Sequence, residues 1–94
     1  MPVFAVLYDY AKESDAGRDQ HRPAHREFLG SLTGPVTALA TGPWGDEPAG
    51  ALIIVEGPSA GEVAAKLDDD PFQVQQLISA RRIREWTQVK GPWA

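Results

Sequence analysis

Two short, almost wholly apolar runs constrain this chain more than anything else in it. Residues 2–8 read PVFAVLY and residues 51–57 read ALIIVEG. Each is far below the roughly 20 residues that a membrane-crossing helix requires. Both are rich in the residue types that suit strands, and neither alternates cleanly between apolar and polar. They therefore predict central strands covered on both faces. The first is stopped by Asp9 and lacks a basic leader, so it reads as a strand and not as a signal peptide.

The intervening segments fill in the order. Residues 9–22 (DYAKESDAGRDQHR) are polar and read as a long charged loop, of the kind that is functional or mobile in a small domain. Pro23 is suited to the first position of a helix, and Phe28, Leu29 and Leu32 supply a one-sided apolar stripe that Gly34-Pro35 ends. Residues 36–44 read as a second strand turning through 46–50 into the strand at 51–57, a hairpin. Ser59 and Glu62 fit a capping box before a helix bearing Val63, Ala64 and Leu67. Asp70-Pro71 opens a further short helix with Asp70 as N-cap, carrying Phe72, Gln75, Gln76 and Ser79. Residues 82–89 close the chain as a strand in which Ile83 and Trp86 would lie on opposite faces, so either a bulge or burial on both sides is expected. The order β-α-β-β-α-(α)-β is the split βαβ, ferredoxin-like plan: an α+β fold with an antiparallel sheet and helices on one face. The other face then needs a cover, and a second copy of the chain is the simplest.

The 94 residues are expected to form a single domain, 1–94. The net charge of −4 argues against nucleic acid as a partner. The one basic cluster, Arg81, Arg82 and Arg84, reads as a solvated strand face with Arg82 and Arg84 on one side and Arg81 on the other. The absence of cysteine removes disulfides, thiolate metal sites and cysteine nucleophiles, and fits a cytoplasmic location.

Among residues able to do chemistry, His25 stands first. With Pro23 as the first helical residue, His25 falls in the first turn. There the macrodipole favours the neutral imidazole, the form that accepts a proton. His21 and His25 are four apart, a metal-ligand spacing on one helix, but Pro23 places His21 before that helix and no third ligand is near; no metal is expected. Asp70 is explained as an N-cap alone, though a capping carboxylate can also face a pocket. Gly42-Pro43 reads first as a turn, and Trp44, Phe72 and Trp86 read first as packing residues. The glycines of GPWGDEPAG lie between strands with no helix to hold a phosphate, and Ser31, Ser59 and Ser79 lack a nucleophile elbow.

Five segments together resemble one family. Arg22-Pro23-Ala24-His25, Thr41-Gly42-Pro43, Gly50–Glu56 followed by Ser59, Asp70-Pro71-Phe72 and Ile83–Trp86 occur in the order and spacing of the YciI-like (YCII-related) family. The long charged stretch at 9–22 and Trp44 depart from its commoner members. The resemblance implies a homodimer of the dimeric α+β barrel type, with a histidine and an aspartate at the base of a cleft, here His25 and Asp70. It implies an enzyme of lyase or isomerase type, and His25 is then read as general base with Asp70 orienting it; without cysteine, phosphate loop or third metal ligand, no cofactor is expected. Arg22, Gly42, Pro43, Trp44 and Phe72 are then the expected substrate contacts, with Arg22 either holding a substrate anion or serving only as a surface residue. Both catalytic residues are expected at helix N-termini that share one mouth. A non-catalytic dimeric module that binds a small ligand or a protein is the alternative, since no nucleophile or metal cluster accompanies the pair. Neither reading calls for a membrane.

Overall fold

A computed structural model describes all 94 residues. The elements run β1 (Val3–Tyr10), α1 (Asp15–Gly30), β2 (Thr37–Pro43), β3 (Gly50–Glu56), α2 (Ala60–Leu67), α3 (Pro71–Val74) and β4 (Ile78–Glu85). The sheet order is β2-β3-β1-β4, and every neighbouring pair is antiparallel. The two apolar runs are the two central strands. This is the expected α+β, ferredoxin-like architecture.

The pleat sorts side chains between the faces. Phe4, Val6 and Tyr8 of β1 lie opposite Val55, Ile53 and Ala51 of β3, and all six are buried in the main core. Leu29 and Leu32 from the region of α1, Val63 and Leu67 of α2 and Phe72 of α3 complete that core from the helical side. On the opposite face Ala5 pairs with Ile54 and Leu7 with Leu52. Ala5, Leu7 and Leu52 are only half-buried there, with no helix over them, while Ile54 is buried. Arg82 and Arg84, opposite Leu7 and Ala5, share that face, and Arg81, opposite Tyr8, points to the helical side.

Gly50 fixes the fit between the central strands. A Cβ there would stand 2.2 Å from the Tyr8 carbonyl oxygen, so only glycine allows the backbones to approach as they do.

Four expectations are corrected. The stretch 9–22 is not a loop: β1 continues to Tyr10, and α1 begins at Asp15 and passes through Pro23 without ending. Pro23 is therefore inside the helix, not at its start. The closing strand is Ile78–Glu85 and not 82–89, so Trp86 lies beyond it and Ser79 belongs to the strand and not to α3. The bulge falls where Asp9 and Tyr10 face Ala80 and Ile78, which leaves Ser79 as the extra residue. The capping box forms its serine half, Ser59 Oγ accepting from the Glu62 N–H at 3.2 Å. No helix is long and apolar enough to cross a membrane.

Candidate functional site

The central fact of the site is an aspartate that is completely buried. Asp70 is 0% exposed and three donors converge on its carboxylate. Its Oδ1 accepts the Phe72 backbone N–H at 3.0 Å, the N-cap bond of α3 that the Asp-Pro pair predicts. The same oxygen lies 2.7 Å from His25 Nδ1. Its Oδ2 accepts from the Tyr8 hydroxyl at 3.0 Å. Capping and histidine contact thus share one oxygen, and the second belongs to a tyrosine from the centre of the sheet.

His25 is mid-helix in α1, not in its first turn, so the macrodipole argument for a neutral imidazole does not apply. The geometry bears on the tautomer of the neutral ring instead. A carboxylate beside Nδ1 selects the tautomer with the proton on Nδ1, which leaves the Nε2 lone pair free. The ring is held from a second side by Phe72, stacked in parallel with centroids 3.8 Å apart and planes 1° apart. Tyr10 meets the Phe72 ring edge-on at 5.7 Å. A carboxylate and an aromatic plane thereby fix both tautomer and orientation.

Tyr8 is the member of the network that sequence reasoning missed. It sits in an apolar strand run and is 0% exposed, so it reads as core. The only signal was the alternation of β1, which places its phenol on the helical face with Phe4 and Val6. Burial holds this phenol far above its ordinary value, and the Asp70 charge and hydrogen bond push it the same way. It is a hydrogen-bond donor that stays protonated.

His25 lines a cleft of about 570 Å³ between α1 and the β2–β3 side of the sheet, within the range of small-molecule sites. Arg22, Gly42, Pro43 and Phe72 line the same cleft. Trp44 does not; it lies beside Gly50 and lines a shallower depression with Leu52 and Ile54. The sequence reading also passed over Arg18, Arg26 and Tyr10, which line the cleft. Arg18 stands 4.5 Å over the Tyr10 ring. Burial raises the Tyr10 phenol above its ordinary value, against the pull of Arg18, Arg22 and Arg26. His21 and His25 share α1, but no group of three potential ligands forms anywhere in the chain.

The arrangement can take a proton: an oriented imidazole with a free nitrogen at the wall of a cleft, backed by a buried carboxylate. Comparison with known proteins places it in context. No curated protein sequence matches the chain. Among solved structures, the fold is similar to that of 5-chloro-2-hydroxyhydroquinone dehydrochlorinase from Burkholderia phenoliruptrix AC1100, determined in complex with 2,5-dihydroxybenzoquinone. The TM-score is 0.76 at 24% identity, covering 90% of this chain and 93% of that one. The family model for the YCII-related domain matches residues 3–87, from the first residue of β1 to just beyond β4. With sheet, helices and the Asp70 cap all inside that span, the chain belongs to the YCII-related domain family.

Proposed function

We propose that this chain is an enzyme acting on a small organic molecule, with His25 as general base. The observation that carries the reading is the 2.7 Å contact between His25 Nδ1 and a fully buried Asp70 carboxylate, at the wall of a cleft. His25 Nε2 takes a proton from the substrate. Asp70 keeps the other nitrogen protonated and stabilises the imidazolium that forms. The electron pair left on the substrate either expels a leaving group from the adjacent atom, which completes an elimination, or is reprotonated elsewhere, which completes an isomerisation. The structural neighbour is named a dehydrochlorinase, which supports the lyase form. Gly42, Pro43 and Phe72 contact the substrate in this reading. It requires no metal or organic cofactor.

The functional unit in this reading is a homodimer in the cytoplasm. Val3, Ala5, Leu7 and Leu52 are half-buried on the sheet face that no helix covers, and a second copy is the cover that fits them.

The test is a panel of small phenols, quinones and enolisable acids offered to wild type and to His25→Ala. Turnover by wild type of any member, lost in the variant while folding by circular dichroism is kept, supports the reading. Ligand-induced thermal stabilisation without turnover of any bound compound favours the binding module instead.

A further inference from the structure

Five side chains of α1 are spaced to share one side of the helix: Arg18, Arg22, His25, Arg26 and Leu29. At about 100° per residue they fall within about 100° of the helix circumference. All five line the cleft. Arg22 lies one turn before His25, about 4.5 Å along the axis, and Arg26 is its immediate neighbour.

The charge of this wall is one-sided. Arginines and the histidine are its only ionisable cations, and no carboxylate lines the cleft, in a chain whose net charge is −4. Arg18 and Arg22 do have acidic partners, Asp15 and Asp19, but these are 90% and 72% exposed and do not line the cleft. Exposed pairs of that kind are screened and weak. One guanidinium nitrogen of Arg22 is engaged by Asp19, which leaves the rest of its fork free. Arg26 has no ion-pair partner in the chain. The facing wall is mostly apolar, built by Ala38, Pro43, Ala51 and Ile53 with Thr41 as its one polar residue, and Phe72 continues it to the histidine.

We propose that this arginine row makes the cleft selective for a small organic anion, a carboxylate or phenolate with a flat apolar body. Arg22 and Arg26 hold the anionic group through their forks, which match a carboxylate in two-point contact. The apolar body lies between the sheet wall and Phe72, and the atom next to His25 Nε2 is the one that reacts. Only the position of that reacting atom rests on the proposed function. The anion preference stands on the charge of the wall.

The experiment uses the full chain and two probes of one shape, benzoate and neutral benzamide, titrated by calorimetry and by NMR. Wild type binds benzoate about tenfold or more tightly than benzamide, a difference of about 1.4 kcal/mol. The double variant Arg22→Gln/Arg26→Gln loses that preference while its benzamide affinity stays within about threefold. Both residues are solvent-accessible, so the variant folds; its unfolding midpoint is the control. Arg22→Lys/Arg26→Lys keeps the charge and separates fork geometry from charge: it retains part of the preference. Equal affinity for the two probes, no benzoate binding at several millimolar, or an unchanged preference in the glutamine variant overturns the proposal. The two proposals fail separately: the anion preference is read from binding alone, and the catalytic role of His25 from turnover.

Discussion

Replacing Asp70 by asparagine keeps the shape of the side chain, removes its charge and leaves a hydrogen bond in the core unmade. The carboxylate accepts three hydrogen bonds, from Tyr8, His25 and Phe72. An asparagine offers one acceptor oxygen and one amide donor at the same two places. If its oxygen stays with Phe72 and His25, its NH₂ meets the Tyr8 hydroxyl, whose own proton then has no acceptor in the core. If it turns over, the NH₂ meets the Phe72 N–H, and His25 must change tautomer to accept. One buried donor is orphaned either way, at about 1–3 kcal/mol, and the remaining bonds lose the strengthening of a charged acceptor. The expected loss is about 3 kcal/mol, which for a chain of this size lowers the unfolding midpoint by roughly 12–24 °C. Asp69→Asn, an exposed neighbour, is the control and stays within about 0.5 kcal/mol. The second readout is the imidazole nitrogen spectrum: wild type shows His25 protonated on Nδ1, and the variant shows a mixed or inverted tautomer. An Asp70→Asn protein as stable as the control, with the wild-type imidazole spectrum, would falsify the coupling of the pair.

The buried phenol gives a prediction in pH. The Tyr8 proton is held in the fold more tightly than in the unfolded chain, whose phenol titrates near 10.0. Its stabilisation is complete below that value and declines above it, by about 1.4 kcal/mol per pH unit. Urea unfolding between pH 9 and 11 (about one unit either side of that value) therefore shows a steeper alkaline decline for wild type than for Tyr8→Phe, and parallel curves count against it. Gly50→Ala forces β1 and β3 apart at the Tyr8 carbonyl and is expected to cost at least about 1–3 kcal/mol, read by thermal melts against Gly45→Ala, where a Cβ meets open space. Sedimentation at micromolar concentration is expected to give a dimer, and Leu7→Asp on the uncovered sheet face a monomer; a wild-type monomer refutes the homodimer.

The parts of this protein that read easily are those where one force acts on one residue. Continuous apolar character marked β1 and β3, whose side chains fill the core from one face of the sheet and leave an apolar, half-buried surface on the other. Asp70-Pro71 marked the start of α3 because the cap and the proline each favour that position for local reasons. Tyr8 could not be assigned a role in the same way. Its ring serves the core while its hydroxyl serves Asp70, and only the three-dimensional placement of a residue 62 positions away distinguishes it from Phe4 or Val6. The pairing of His25 with Asp70 was expected for an incorrect reason. Two helix starts at a common mouth were the premise, whereas the middle of α1 and the start of α3 are what meet.

The first half of α1 was hidden for a reason that bears on function. Helices are recognised by an apolar stripe, which exists because one side packs on a core. Between Asp15 and Arg26 the stripe at helical spacing is Arg18, Arg22, His25 and Arg26, so the segment looks like a charged loop, and Pro23 then looks like a beginning. A helix can carry such a stripe inward only if what it faces is not packed protein. Leu29, at the far end of the stripe, is buried in the core, and so are Phe4 and Val6 beneath the sheet's helical face. Arg22 and Arg26 cannot follow them without losing water that no carboxylate lining the cleft replaces. They therefore keep α1 from closing onto β2 and β3, and the cleft stays open beside His25. The same charges that erased the helix from the sequence pattern preserve the space in which the histidine can act.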